Sequence, residues 1–314
     1  MFPSSLPSSI RVLERGWLSA NNIVFLDDAR TASVVDTGYV RHAAQTVELL
    51  RHAAGGRHLA RIVNTHLHSD HCGGNAALQA AYGGTERCAI IVPAGEMQAV
   101  NNWDEDALSF RSSGQQAASF SAAAELSAGD VLELGGMPWQ AHAAAGHDPH
   151  ALMLFQPDER LLISGDALWE LGFGVIFPEM VGEPGFALTR ATLRTIEALA
   201  PALVIPGHGA PFTDAAAALA RAHARLDAFE AAPERHARHG LRVLLKFHLL
   251  QQSSGIALGA LFTWFAGTDF VARTLCCFWP HVEPRTVFNE MLDSLLQTGL
   301  ARSSDGLVFD ADAP

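Results

Sequence analysis

Lysine is almost absent from this sequence, since Lys246 is the single example and nearly all of the positive charge is arginine. Lys and Arg together number 21 against 33 Asp and Glu, which gives a formal net charge of −12. A surface of this sign repels the phosphate backbone of DNA or RNA unless a local basic stripe overrides it. We therefore expect no nucleic-acid partner.

Long apolar segments and a cysteine framework are also missing. The longest strongly apolar run, residues 256–267, is well short of the ~20 residues that span a bilayer. The first residues lack the apolar core of a signal peptide. The four cysteines, two of them adjacent at Cys276 and Cys277, have no spacing typical of a disulfide framework. The sequence therefore predicts a cytoplasmic protein with reduced thiols and no membrane partner.

Core-forming residues, in contrast, are plentiful. Apolar residues make up 49% of the chain and charged residues 17%, which is typical of a globular protein. Short β-rich runs at residues 22–26, 32–35 and 61–64 alternate with a helical pattern at 39–52. The second half repeats this order in outline, so we expect an α/β core.

Two later segments break the alternation. The polar sequence at 101–123 contains Gly and Ser and predicts a surface loop or lid. After residue 211 an alanine- and arginine-rich pattern predicts one helix over 214–238, followed by further helices and a hairpin-like end at 300–309. We therefore expect a core domain over the first two thirds of the chain and a mostly helical region after it.

A histidine-rich turn directly follows the predicted strand 61–64. The sequence Thr-His-Leu-His-Ser-Asp-His, residues 65–71, places three imidazoles and one carboxylate within six residues. Imidazole nitrogens and carboxylate oxygens are ligands for Zn²⁺ and related ions. Such groups crowded into one turn desolvate one another unless a cation compensates. The pattern His-x-His-x-Asp-His therefore predicts a metal site, the alternative being a solvated polar turn.

With this motif the chain resembles the metallo-β-lactamase superfamily of metal-dependent hydrolases. Four other elements match in order: Asp36 in Val-Val-Asp-Thr-Gly, His147 in Ala-Gly-His-Asp-Pro-His, Asp166 in Ile-Ser-Gly-Asp-Ala-Leu and His208 in Ile-Pro-Gly-His-Gly. The resemblance implies a four-layer αββα sandwich for a catalytic domain over residues 1–212. The helical region covers residues 213–314, and its part from 240 to 314 is similar in element order to a winged-helix module.

The resemblance also implies two metal ions that share one ligand. The implied ligands are His66, His68 and His147 at one ion, Asp70, His71 and His208 at the other, and Asp166 at both. The presence of both aspartates is similar to the glyoxalase II-type arrangement, whereas antibiotic-hydrolysing lactamases commonly have cysteine in place of the bridging aspartate. Zinc is the expected metal, with iron or manganese as alternatives.

Other residues near the motif are expected to support or line the site. Asp36 is expected to contact a ligand, and His150 either does the same or is an ordinary strand histidine. Trp169 and the stretch 171–177 either shape a substrate pocket or pack on the core. Cys72 is expected to be a small buried filler.

The implied activity is hydrolysis of a small ester, thioester or lactone. Two cations that share a water lower its pKa toward about 7, so a metal-bridging hydroxide attacks a polarised carbonyl. Asp70 is expected to accept a proton as well as to bind metal. Glyoxalase II itself is less well supported, because its glutathione-holding basic and tyrosine residues lie in its C-terminal part. This chain has only Tyr39 and Tyr82.

Three alternatives stay open. One is a persulfide dioxygenase-like enzyme with a single iron on His66, His147 and Asp166. The second is a phosphodiesterase, and the third is a non-catalytic regulator that keeps the metal site and acts through its C-terminal helices. The C-terminal aromatic residues are expected to dock on the core, to roof the active site or to form a homodimer contact, and a small-molecule substrate is the expected partner.

Overall fold

The computed structural model describes residues 6–252 and 254–311. Its first sheet has six strands in chain order: β1 (Ile10–Leu13), β2 (Asn22–Leu26), β3 (Thr31–Val35), β4 (His58–Val63), β5 (Ala89–Pro93) and β6 (Ala124–Leu126). Strands β1 to β3 pair antiparallel, and β3 to β6 pair parallel. The parallel pairs are joined by helical crossovers, as such connections require.

The second sheet has five strands: β7 (Val131–Leu134), β8 (Met137–Ala143), β9 (Leu152–Gln156), β10 (Leu161–Gly165) and β11 (Leu203–Pro206). Strands β7 to β10 pair antiparallel, and β11 lies at the edge, parallel to β10. The link between β10 and β11 is a long crossover, so the loops that follow these two strands meet at the same edge of the sheet.

Twelve helices accompany the strands within the described residues. Those before residue 210 are α1 (Ala43–Ala54), α2 (Ser69–Cys72), α3 (Asn75–Ala81), α4 (Met97–Asn102), α5 (Phe110–Ser113), α6 (Phe177–Met180) and α7 (Phe186–Leu199). Those after it are α8 (Ala215–Ala231), α9 (Pro233–Leu250), α10 (Leu258–Gly267), α11 (Asp269–Phe278) and α12 (Pro284–Gln297). A 3-10 turn, Val40–His42, precedes α1.

The strands are apolar on both faces because each sheet lies between two layers. In β9 the side chains alternate: Leu152 and Leu154 enter the core between the sheets, while Met153 and Phe155 enter the core beneath α7 and α8. The first sheet alternates in the same way, with its outer face covered by α1 and α3. Strands buried on both faces give the continuous apolar runs seen in the sequence. The predicted αββα sandwich is confirmed.

Residues after 233, together with Val175 and Met180, form a further hydrophobic core around α9 to α12. A small sheet closes this part, in the order β12 (Ile256–Ala257), β14 (Leu307–Asp310), β13 (Ala301–Ser304). Strands β13 and β14 pair antiparallel, so the predicted terminal hairpin is confirmed. The division at residues 212 and 213 stays a prediction, and α8 packs on the second sheet together with α7.

Two predicted segments differ from the structure. The single helix expected over 214–238 is divided into α8 and α9, because Pro233 has no N–H to continue a helix and stands in the first turn of α9. The segment 101–123 contains the short helix α5, and its side chains Leu108, Phe110 and Phe120 are buried in the core outside the first sheet. That segment is therefore packed on the sandwich. Its few buried apolar residues are separated by many polar ones, so the sequence pattern resembles that of a surface loop.

No helix in the described part of the chain is long and apolar enough to cross a membrane.

Candidate metal centre

The histidine-rich turn connects the end of β4 to the single turn of α2. Thr65 and His66 follow the strand, and α2 then carries Asp70 and His71 in one turn. The carbonyl of His71 accepts hydrogen bonds from the backbone N–H of Thr37 at 2.7 Å and from the side-chain amide of Asn64 at 3.2 Å. These contacts fix the backbone of α2 against the end of β3, so the ligand side chains point to one place.

Three of the predicted ligands form a first group at this place. His66 Nε2 lies 3.1 Å from His68 Nδ1, and His68 Nδ1 lies 2.8 Å from His147 Nε2. His147 reaches the group from the loop between β8 and β9. A neutral imidazole has one donor and one acceptor nitrogen, so three ring nitrogens that converge at these distances cannot all be satisfied by one another.

Three more predicted ligands form a second group beside the first. Asp70 Oδ2 lies 3.1 Å from His208 Nε2 and 3.8 Å from His71 Nε2. His208 follows β11 and therefore comes from the second sheet. Within each of these groups, and within the group formed by His66, His71 and Asp166, the ligand atoms lie within 4.8 Å of one another.

Asp166 lies between the two groups, at the end of β10. Its Oδ2 is 3.4 Å from His147 Nε2, and its Oδ1 is 3.3 Å from His71 Nε2 and 3.8 Å from His208 Nε2. One carboxylate oxygen therefore faces each group. This is the position that a ligand shared by two cations would need.

A metal cation fits this donor set. The Nε2 atom of His71 is buried and has no hydrogen-bond partner among the described residues, although two carboxylates lie within 4 Å of it. An unpartnered buried polar atom is costly, and nitrogen and oxygen donors are those that zinc, iron and manganese take in proteins. Seven side chains, brought together from both sheets, can thus hold metal.

Burial sets the protonation of His66, His68 and His147. Desolvation lowers the pKa of His68 and of His147 to about 4, and desolvation together with the neighbouring imidazoles lowers the pKa of His66 well below its usual value. The neutral rings have a free lone pair to offer a cation. Burial raises the pKa of Asp166, but the imidazoles of His71 and His208 outweigh that effect and hold it well below the usual value.

Groups around the ligands fix their orientation. Asp36, at the end of β3, accepts a hydrogen bond from His71 Nδ1 at 2.7 Å, so the Nε2 atom of that ring faces the cluster. The same carboxylate accepts from the N–H and the hydroxyl of Thr65 at 2.9 and 2.8 Å. His147 donates from Nδ1 to the carbonyl of Val175 at 2.5 Å. Such partners select the tautomer that presents the other nitrogen to a metal.

His150 lies apart from this network. Its Nδ1 is 3.2 Å from the carbonyl of Ala94, its Nε2 is 3.3 Å from Glu96, and its side chain is 44% exposed. These contacts join the β8–β9 loop to the segment after β5 and include no predicted ligand. Cys72 is buried and its thiol donates to the carbonyl of Leu67 at 3.4 Å, as expected of a filler.

Several residues that shape the centre were not predicted from the sequence. Asp148 follows His147 directly, and its carboxylate lies 3.9 Å from His68 Nε2; its place beside a predicted ligand was the available signal. Trp17 stacks on His208 with ring centroids 5.4 Å apart, and nothing in the local sequence indicates this. Gly207 is also essential to the packing, because a Cβ there would lie 2.5 Å from Asp166 Oδ1 and 2.9 Å from His71 Cε1.

The aromatic residues after Asp166 lie beside the cluster at two places. Trp169 packs edge-on against His208 with centroids 5.3 Å apart. Phe177 packs against both His68 and His147 at 5.4 Å. Of the residues between them, Phe173 is buried and Leu171 is 76% exposed. The stretch 171–177 therefore divides between core packing and the rim of the centre.

Known proteins resemble this chain in sequence and in fold. A hydroxyacylglutathione hydrolase from Hyphomonas neptunium is 31% identical over 119 residues, which is 38% of this chain and 38% of that relative. A beta-lactamase domain protein from Burkholderia ambifaria superposes with a TM-score of 0.56 at 21% identity, covering 98% of this chain and 96% of that one. A metallo-beta-lactamase family protein from Thermus thermophilus gives a TM-score of 0.55 at 18% identity, covering 98% and 100%.

The solved structures share the fold at low identity, and the curated relative matches over about two fifths of its length. The sequence model of the metallo-beta-lactamase superfamily matches residues 16–208. That range contains the histidine-rich turn, His147, Asp166 and His208, and it covers more than half of the chain. The chain therefore belongs to the metallo-beta-lactamase superfamily.

Proposed function

We propose that this protein is a metal-dependent hydrolase that cleaves a small ester, thioester or lactone at a centre of two divalent ions. The observation that carries the proposal is the position of Asp166, whose two oxygens face separate groups of ligand atoms. The superfamily consists largely of metal-dependent hydrolases. The partial match to hydroxyacylglutathione hydrolases supports hydrolysis of an acyl group. We do not extend the proposal to a glutathione-containing substrate.

The ligand sets follow from the two groups. His66, His68 and His147 would hold one ion, Asp70, His71 and His208 the other, and Asp166 both. When bound, divalent cations supply Lewis-acid activation of a water and of the substrate carbonyl. Zinc suits the mixed imidazole and carboxylate donors, and iron or manganese fits the same atoms.

We expect Asp70 to accept a proton as well as to bind metal. Burial raises the pKa of its carboxyl, but the imidazole of His71 and the hydrogen bond from His208 outweigh burial and lower the pKa below the usual value. The carboxylate is therefore ionised at neutral pH. Oδ2 faces His208 and His71, which leaves Oδ1 to take a proton from a reacting water.

Aromatic rings bound the centre on two sides and favour an apolar substrate. Trp17 and Trp169 pack against His208, with their own rings 5.5 Å apart. At the first ligand group Phe177 packs against His68 and His147, and its own ring packs against Phe270 of α11 at 5.5 Å. Between these walls an uncharged acyl or alkyl group replaces water with aromatic contact.

The test is a panel of substrates with metal analysis. Purified protein is assayed against thioesters, lactones, aryl esters, aryl phosphodiesters and glutathione persulfide, with and without chelator, and its metals are counted by plasma mass spectrometry. We expect turnover of an ester-type substrate that chelator removes and metal restores, with about two ions per chain. His68→Ala should abolish it, and the matched control His281→Ala, at an exposed position, should not.

Other results would contradict the proposal in specific ways. Chelator-insensitive turnover, or full turnover by His68→Ala, would exclude a two-metal mechanism. Oxidation of the persulfide by protein with one iron per chain would identify a dioxygenase. Phosphodiester cleavage alone would assign a phosphodiesterase, and metal-loaded protein inert on every substrate would favour a regulator.

A further inference from the structure

A second cavity, unconnected with any predicted ligand, lies between α8, α9 and α12. It has a volume of about 750 Å³ and is lined by four arginines and a histidine: Arg225, Arg235, Arg238, Arg242 and His239. We name it the arginine cavity. So many cations around one cavity are unexpected in a chain with 33 acidic and 21 basic residues, and its volume is that of small-molecule sites.

Most of this positive charge is not neutralised within the protein. Arg238 pairs with Glu290 of α12. No salt bridge joins Arg225, Arg235 or Arg242 to a carboxylate anywhere in residues 6–252 and 254–311. The nearby carboxylates of α8, Asp227 and Glu230, are both held at 2.7 Å by Arg190 of α7. The acidic side chains of α8 therefore pair with α7, while Arg225 of the same helix lines the cavity.

Hydrogen-bond donors also exceed acceptors in the cavity. The Nε2 atom of His239 lies 2.7 Å from Arg225, and its Nδ1 atom lies 3.4 Å from Arg242. A neutral imidazole has only one acceptor nitrogen, whereas each guanidinium has five N–H groups and no acceptor. Burial and the two arginines lower the pKa of His239 to about 3, so the ring is neutral. The ring of His239 can therefore accept a hydrogen bond from only one of the two arginines. The hydroxyl of Ser294, 3.2 Å from Arg242, provides one more acceptor.

Two of the guanidinium groups are held over aromatic rings. Arg225 lies over the rings of Phe173 and Phe229, 5.4 and 5.3 Å from their centroids, and Arg238 lies 4.8 Å over Trp279. A guanidinium whose face packs on an aromatic ring still presents its N–H edge to a carboxylate or phosphate. The rings thus fix the arginines at little further cost in side-chain entropy.

The rest of the lining is apolar. Ala228 and Phe229 of α8 and Met291 of α12 face the same space. Phe173, the ring beneath Arg225, lines a separate small cavity together with His147 and Asp166. The two cavities are lined by different polar groups.

We propose that the arginine cavity binds an organic polyanion, a small molecule with at least two phosphate or carboxylate charges and an apolar portion. Its oxyanions supply the acceptors that Arg225, Arg235 and Arg242 lack, and its apolar portion lies on Phe229 and Met291. The site does not depend on hydrolysis at the metal centre.

The experiment is titration calorimetry on the full-length protein as purified, with ADP, pyrophosphate, citrate and adenosine as probes. ADP and citrate separate a phosphate source from a carboxylate source, and adenosine reports the apolar part alone. We expect ADP or citrate to bind at least about tenfold more tightly than adenosine. Loss of one charge-assisted contact in Arg242→Gln should weaken that binding about tenfold, and Arg225→Gln, with its folding verified by a thermal melt, should do the same.

Arg111→Gln is the matched control, because Arg111 is exposed and pairs with Glu105 and Asp106 away from the cavity. Its affinity should stay within about twofold of the parent. Binding that is equal in the parent and in both cavity variants would overturn the proposal, as would no binding of any anion at about 1 mM. If duplex DNA binds more tightly than ADP and displaces it, the cavity is a nucleic-acid site and the small-molecule proposal is wrong.

Discussion

The indole of Trp17 lies parallel to the imidazole of His208, with 5.4 Å between centroids and 15° between planes. Trp17 is nevertheless 65% exposed, so its outer face is open to solvent. A large aromatic side chain that touches a predicted ligand on one side and water on the other is positioned to contact whatever approaches the metal centre.

Trp17→Ala should raise KM for the best ester-type substrate about fivefold and change kcat little. An aromatic contact of this kind contributes about 1 kcal/mol, and it is made equally in the ground and transition states. Steady-state kinetics check this, and Trp17→Phe should restore most of the affinity. An unchanged KM in Trp17→Ala would place the substrate elsewhere.

Asp36→Asn should weaken metal binding by about 10- to 100-fold, because it removes the charged acceptor that orients His71. Asparagine suits the position, since Asp36 has a φ of 57° and this residue tolerates left-handed backbone. Competition against a fluorescent chelator measures the affinity. Asp130→Asn, in an exposed turn, is the control, and parental affinity in Asp36→Asn would show that the carboxylate serves only the backbone.

Gly207→Ala should leave the purified protein with less than about a tenth of the parental metal. The added methyl would lie 2.5 Å from Asp166 Oδ1 and must displace that carboxylate. Elemental analysis and a thermal melt separate metal loss from unfolding. Gly16→Ala, where nothing lies within 4 Å of a Cβ, should keep its metal, and a fully loaded Gly207→Ala protein would contradict the crowded geometry.

Metal-free protein should lose stability as the pH falls from about 6.5 to about 4, and His236 should account for part of that loss. The ring is buried, Nε2 accepts from the N–H of Ile176, and burial with Arg225 lowers its pKa from 6.5 to about 4. The folded pKa is depressed, so the contribution is complete above pH 6.5 and is lost below it. The loss from this group is on the order of 3 kcal/mol.

Urea unfolding at pH 7 and pH 4, in the presence of chelator, measures this effect. His236→Gln should show a smaller drop in the free energy of unfolding between the two pH values than the parent. His281→Gln, at an exposed position, should match the parent. Equal drops in the parent and in His236→Gln would mean that His236 takes up its proton normally in the folded state.

The sequence predicted the strands that carry the ligands to within a few residues. The runs at 22–26 and 32–35 correspond to β2 and β3, and 61–64 overlaps β4. These strands are buried on both faces, so their apolar pattern is continuous and local. Each of the seven predicted ligands follows or joins such a strand, and the structure places them together.

Relationships between distant segments could not be predicted from periodicity. Trp17 and His208 are far apart in sequence, and their stacking depends on how the loop after β1 meets the loop after β11. The arginine cavity forms only when α8, α9 and α12 pack together. The sequence of each helix taken alone does not distinguish the arginines of the cavity from other surface arginines. Local sequence carries the propensity of an element, while tertiary packing decides what its exposed face meets.

The predicted metal ligands come from both halves of the sandwich, since the turn after β4 extends from one sheet and Asp166 and His208 extend from the other. An ion held there would cross-link the two sheets and oppose their separation. Because neither half contains the full ligand set, the unfolded chain binds metal poorly. Metal binding therefore adds to the free energy of unfolding, by about 4 kcal/mol when the free metal concentration is a thousand times its Kd. Chelation should therefore shorten the lifetime of the folded protein as well as abolish the proposed hydrolysis.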